Sequence, residues 1–268
     1  MTGTNSPSPL EIYKLLPGNN CGKCLLPSCL AFAAAVAKGD REFEECPDAR
    51  GSFRDAFAAR NLPPKKDRES DQAEFIDQLK EKTRRLDFSR IAPLIGAHFD
   101  GRNLVIKSLG KEFRIDQEGE MVSDCHVIPW VVVPTLSYIT NPTHSEPSGE
   151  WISFRELKGG IDWQGLFTSR CEKVLKQLAD NNPSLLADLI DLFNGRKVDW
   201  YQADIALVLH PLPHIPILIC YQAKEDDLDS VLTIFFDRAC TENLHIKPLF
   251  TLSSGLTQMF VAIAGRTC

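Results

Sequence analysis

Four of the nine cysteines lie close together near the start of the chain, as Cys21-x2-Cys24-x4-Cys29-x16-Cys46. Two thiolates separated by two residues can grip one metal centre from a single tight loop. A third, five positions on, suits a loop that turns into a helix, and the fourth returns after that helix. A centre ligated by four thiolates carries net negative charge. The helix start at Ser28-Cys29 would set unpaired backbone N–H groups and a partial positive charge beside it. Leu25, Leu26 and Phe32 are placed to exclude water, and Pro47 directly after Cys46 is similar to the Cys-Pro ending of many ferredoxin sites. Zinc is the alternative, but structural zinc sites made of four cysteines usually present two Cys-x2-Cys pairs, and this chain has one. Spacing alone leaves both [2Fe-2S] and [4Fe-4S] open.

Other reactive side chains are scattered. His210 and His214 flank a proline-rich turn between two apolar stretches and read as histidines capping strand ends, with a cofactor-facing role as the sharper alternative. Cys125-His126 is an adjacent pair, a spacing that serves one metal poorly. Trp151, Phe154 and Trp163 read as packing residues, and Asp226-Asp227 with Asp229 as a solvated turn rather than a cation site. Cys171, Cys220 and Cys240 sit in apolar patterns and read as buried thiols; Cys268 is the final residue. No phosphate-cradling glycine loop, nucleophile elbow or zinc-protease helix occurs, and Gly159-Gly160 reads as a turn.

Several elements must position the four cysteines. Ser8-Pro9-Leu10-Glu11 has the form of a helix start, with a serine cap, proline in the first turn and glutamate three residues after the cap. That helix is expected to reach about Leu16 and stop at Pro17-Gly18. Asn19 to Gly22 can then supply tight positive-φ turns. A second, alanine-rich helix is expected over about 28–38, closed by Gly39, and a third helical piece over 52–60. Asn61 to Gln72 combines Pro63-Pro64 with dense mixed charge and reads as a linker. The expected organisation is therefore a module at 1–60, a linker at 61–72 and a larger domain at 73–268.

In that larger domain the period shifts from helical (73–86) to a β-hairpin at 104–107 and 112–115 with its turn at Gly110. Over 126–139, Val131-Val132-Val133 favours strand whereas Pro129 in a first turn suits a helix interrupted at Pro134, and the reading leans to helix; amphipathic helices follow over 166–178 and 184–193. Strands follow over 204–209, 215–222 and 231–236, with a last helix over 256–263. The fold class is α+β, with a small helical module ahead of a mainly antiparallel sheet and flanking helices.

The chain has 268 residues, 43% apolar and 25% charged, the profile of a globular protein with a packed core. Its formal net charge of −6 and lack of a basic cluster argue against a nucleic-acid surface. Segment 1–60 balances seven acidic against seven basic residues, so the excess lies beyond it. Met1 to Pro9 does not resemble a signal peptide, and no apolar run reaches membrane-spanning length, so a cytoplasmic location is expected. Cytosolic cysteines are kept reduced, which makes ligation the leading use of a cluster of them.

Two resemblances sharpen this reading. The run Leu15 to Ala33, with Cys46-Pro47 downstream, resembles the N-terminal [4Fe-4S] domain of the large subunit of the corrinoid iron-sulfur protein of the acetyl-CoA pathway. It implies one [4Fe-4S] cluster on Cys21, Cys24, Cys29 and Cys46, acting as a low-potential one-electron carrier that returns oxidised cobalt to Co(I). That family continues into a large barrel and a corrinoid domain, for which this chain is too short, and no Asp-x-His-x-x-Gly motif occurs here. Gly149 to Gly160, Pro211 to Pro216 and Phe235-Phe236-Asp237 are similar to an uncharacterised bacterial and archaeal domain family of unknown function, a resemblance that transfers no catalytic residue. The expected role is an electron-transfer or accessory protein working with a redox partner, a corrinoid protein or methyltransferase. The alternatives are a cluster-fed redox enzyme with a pocket at His210 or His214, and a redox or oxygen sensor.

Overall fold

The fold was obtained as a computed structural model, which describes residues 7–49, 68–125, 127–182, 184–226 and 228–265. The helical piece expected at 52–60, His126, Asp227 and Cys268 lie outside the described residues. The chain divides into two compact units, one of Met1–Phe75 with Asp162–Ser169, the other of Ile76–Ile161 with Arg170–Cys268.

In the first unit, α1 (Pro9–Tyr13) packs against α2 (Cys29–Ala37). The Ser8 hydroxyl accepts the Glu11 N–H, and the Glu11 carboxylate accepts the Ser8 N–H at 2.8 Å, closing a reciprocal cap. The α-helix stops at Tyr13, earlier than Leu16, and Leu15 and Leu16 continue as single turns bonded to Ile12 and Tyr13. Ile12, Leu16, Phe32, Ala33, Val36 and Phe43 form the core with Cys24, Cys29 and Cys46.

The second unit is α+β with antiparallel pairing throughout its two sheets. The smaller sheet is a meander of β1 (His98–Phe99), β2 (Leu104–Ser108), β3 (Lys111–Ile115) and β4 (Met121–Val122). The larger has the order β5-β9-β8-β7-β6, from β5 (Trp151–Ser153), β6 (Arg196–Lys197), β7 (Ile205–Leu212), β8 (Ile215–Gln222) and β9 (Val231–Asp237). Strand β8 is central and buried along all but its last residue, which suits its unbroken apolar sequence.

Helix α3 (Arg68–Thr83) begins before Ala73, within the charged stretch. Helix α4 (Pro129–Ile139) carries Pro134 in its interior. The helix expected at 166–178 is segmented, with a π-turn at Thr168–Glu172 between a short turn at Gln164–Phe167 and α5 (Lys173–Asn181). Helix α6 (Leu185–Leu192) follows, and the last helix, α7 (Ile246–Ala264), starts ten residues earlier than expected. It packs against α4, where the Trp130 ring leaves no room for a Cβ at Gly255. Buried Tyr138 of α4 donates to the Ile95 carbonyl at 3.0 Å and accepts the His214 N–H at 3.3 Å. The carboxylate of Asp237, 1% exposed, accepts the N–H groups of Ser148, Gly149 and Ala239, and so fixes the segment leading into β5.

Candidate metal centre

The ligand loop begins where α1 gives way to left-handed backbone. Gly18, Asn20, Gly22 and Leu25 have φ of 71°, 49°, 71° and 63°. Leu25 is the costly member, since a non-glycine residue rarely takes this conformation, and its side chain is 45% exposed. A turn from the Gly22 carbonyl to the Leu25 N–H, 2.9 Å, closes the loop around Cys24.

Two side chains set the start of α2. Ser28 is its N-cap, with its hydroxyl accepting the Ala31 N–H at 3.1 Å. The Asn20 side-chain carbonyl accepts the Cys29 N–H at 2.8 Å. Between them they satisfy donors that every helix start leaves open, and they fix Cys29 as the first helical residue. Beyond α2, Gly39 (φ 79°) reverses the chain, and a 3-10 turn at Phe43–Glu45 delivers Cys46. The Arg41–Glu45 ion pair, 2.9 Å, braces that turn.

Cys24, Cys29 and Cys46 are buried in the same small core and Cys21 is half-buried. All four are free of disulfides. Burial pushes the Cys24 thiol up, opposed by a backbone hydrogen bond from Leu26, and the nearby Cys46 and Cys29 add to the rise. Burial likewise raises Cys46, against a backbone hydrogen bond from Asp48, with Cys29 and Cys21 contributing. The thiols are therefore mutual electrostatic neighbours. The Cys21 Sγ lies 3.9 Å from Asp48 Oδ2, and Asp48 pairs with Lys23 at 2.7 Å, joining the ligand loop to the segment after Cys46. Among the described residues, no three His, Cys, Asp or Glu side chains converge tightly enough to hold one metal ion. The donor set, four soft sulfurs with peptide N–H groups beside two of them, fits an iron-sulfur group.

The other candidates, Trp163 apart, belong to the second unit. His210 is exposed within β7 rather than at its end, because the strand continues through Pro211 across an irregularity between Leu209 and Leu212. His214 is buried in the two-residue turn between β7 and β8, with Nε2 3.5 Å from Glu146. Neither lines a described cavity of the second unit. His144, which spacing gave no reason to select, shares with His214 an edge-on contact to the Tyr138 ring, at 6.2 Å and 6.5 Å. Cys171, Cys220 and Cys240 are buried, and burial pushes Cys171 and Cys220 up to about 12. Phe154 is in the core, whereas Trp151 and Trp163 are half-buried and Trp151 stacks on exposed Trp200 at 6.1 Å. Asp226 and Asp229 are exposed, as a solvated turn requires. Cys125 is exposed.

These features define a two-part protein, a small cysteine-bearing helical module followed by an antiparallel α+β unit. The family model described as "Domain of unknown function (DUF3786)" matches residues 87–259, and the chain belongs to that family. Residues 16–47 match the model described as "Putative Fe-S cluster". Over 55 residues the chain is 47% identical to the corrinoid/iron-sulfur protein large subunit of Moorella thermoacetica, which is 20% of this chain and 12% of that protein. It is 48% identical over 40 residues to the acetyl-CoA decarbonylase/synthase complex subunit gamma of Methanocaldococcus jannaschii, 15% of this chain and 8% of the relative. The gamma subunit of Methanothermobacter thermautotrophicus is 40% identical over 45 residues, 17% of this chain and 10% of the relative. The chain thus spans about an eighth or less of the curated relatives it matches. No solved structure matches it. No described helix is long and apolar enough to cross a membrane.

Proposed function

We propose that Cys21, Cys24, Cys29 and Cys46 hold one [4Fe-4S] cluster and that the protein is an electron-carrying accessory in corrinoid-linked one-carbon metabolism, delivering single electrons to a partner protein. The observation that carries this reading is the burial of Cys24, Cys29 and Cys46 in one small core, with Cys21 half-buried. The 47% identity to a corrinoid/iron-sulfur subunit over this segment supports it. When bound, the group supplies one-electron reduction and oxidation. The protein's part is to set its environment: the low-dielectric core around Cys24, Cys29 and Cys46, the Leu26 and Asp48 backbone groups beside the sulfurs, and the half-exposed edge at Cys21 where a partner can approach.

In this reading residues 1–60 are the cluster module, 61–72 the linker and 73–268 the domain that serves the partner. The partner is a protein with its own redox centre, a corrinoid protein or methyltransferase. The eight described cysteines, all free of disulfides, suit a reducing, cytoplasmic setting.

The test is anaerobic purification, iron and acid-labile sulfide analysis, and EPR after dithionite reduction. About four irons and four sulfides per chain and an S = 1/2 signal on reduction are expected. Zinc without sulfide overturns the proposal.

A further inference from the structure

The second unit contains a cavity of about 660 Å³ between the β2–β3 hairpin, the start of α4 and the end of α7. Its walls are largely apolar and include three aromatic rings, Phe113, Trp130 and Phe193. This size and lining are those of a site for a small organic molecule. The walls are held by fixed contacts. Trp130 rests on the backbone of α7 at Gly255, where a side chain is sterically excluded. The hairpin tip is tied to β7 by the Leu109 N–H donating to the His210 carbonyl at 2.9 Å, with Leu109 in left-handed backbone (φ 50°). Ser123 donates to the Glu112 carbonyl at 2.7 Å and accepts the Cys125 N–H at 3.2 Å, which anchors the segment carrying Asp124 and Cys125 against β3.

The polar groups on the wall narrow the ligand class. Lys111, Asp124 and Cys125 line the cavity and are exposed. Among the described residues, neither Lys111 nor Asp124 forms an ion pair, whereas Glu112 beside Lys111 pairs with Arg114 at 3.6 Å. A cation without a partner at the mouth of an apolar cavity favours a ligand with one negative charge. Asp124 opposes a second such charge, which disfavours nucleotides and other polyphosphates.

We propose that this cavity binds a small amphipathic monoanion, an aromatic or acyl body bearing one carboxylate- or sulfonate-like group, with the body against Trp130, Phe113 and Phe193 and the charge at Lys111. The site is independent of the cluster, and the two proposals stand or fall separately.

The experiment uses the full-length, anaerobically purified protein with two probes, 8-anilino-1-naphthalenesulfonate and its uncharged relative N-phenyl-1-naphthylamine. Fluorescence titration should give one saturable site. Ala262→Trp places bulk in the cavity from a solvent-exposed position of α7, so the thermal midpoint should hold while both probes bind about tenfold more weakly or not at all. Lys111→Gln should weaken the sulfonate probe about tenfold and leave the neutral one unchanged. Alkylation of Cys125, followed at the level of its own peptide, should slow when the sulfonate probe is bound. Equal binding by wild type and Ala262→Trp, absence of saturable binding, or unchanged Cys125 alkylation at probe saturation overturns the site. Equal loss of both probes in Lys111→Gln overturns the assignment of the charge.

Discussion

The Asn20 side-chain carbonyl holds the Cys29 N–H at 2.8 Å, so one proposed ligand is oriented by a residue of the loop that carries two others. Asn20 is also one of the left-handed residues of that loop, a conformation asparagine tolerates better than most. Asn20→Gly keeps the backbone freedom and removes the bond; Asn20→Ala removes both. We expect iron content per chain to fall in both variants and further in Asn20→Ala, with a stability loss of about 1–3 kcal/mol for the Cys29 donor left unpaired. Equal iron content in wild type and both variants would show that the bond does not organise the loop.

Asp237 is the buried polar anchor of the larger sheet. Its carboxylate serves three backbone N–H groups and the Ser148 hydroxyl. Asp237→Asn puts an amide N–H₂ against donors and should cost about 2–3 kcal/mol, read as a lower urea midpoint with an unchanged slope. A change under 0.5 kcal/mol, the usual span of an ordinary surface substitution, would count against this anchoring role.

Acid should loosen the segment around His144. Burial first, and the neighbouring His214 second, hold the His144 imidazole below its usual range. The Nδ1 atoms of both histidines are buried without a hydrogen-bond partner among the described residues, and the Glu146 carboxylate lies 3.5 Å from His214 Nε2. With the folded value below the unfolded one, the unfolded chain takes the proton first. Stability is therefore fully present above about pH 6.5 and is lost as the pH falls through the lowered folded value, with a slope of at most about 1.4 kcal/mol per pH unit from this group. Urea midpoints between pH 8 and pH 5 should show that loss in the wild type and a shallower one in His144→Phe.

Gly255→Ala should destabilise, although alanine is normally the better helix former. The added methyl collides with the Trp130 ring, and overpacking of this kind costs about 1–3 kcal/mol. Trp130→Phe in the same chain should recover part of the loss, so the double variant should be less destabilised than the sum of the two. Strict additivity would argue against the contact.

What was legible in the sequence was local chemistry. Ser8 and Glu11 announce a reciprocal cap, Ser28 and Gly39 bound α2, and Gly110 closes the hairpin, because each acts on backbone within a few residues. The four-cysteine spacing was legible for the same reason. Prolines misled where context protected them. Pro248 lies in the first turn of α7, where its missing N–H would have found no partner anyway, so it is compatible with a helix that starts ten residues before the expected one. Pro211 sits at the irregularity of β7, where the ladder already breaks, and this put His210 inside a strand. The cavity was invisible because Lys111, Trp130, Phe193 and Ile263 are brought together only by tertiary packing.

Among the described residues strand β5 pairs only with β9, some eighty positions downstream, and β9 in turn covers one side of β8. The stretch between Trp151 and Asp237 is therefore topologically closed. A shortened polypeptide ending ahead of Val231 would strand β5 and bare a flat, apolar edge on β8, the kind of surface that draws chains into aggregates. Proteolytic trimming or subcloning can respect this protein only by cutting outside that interval.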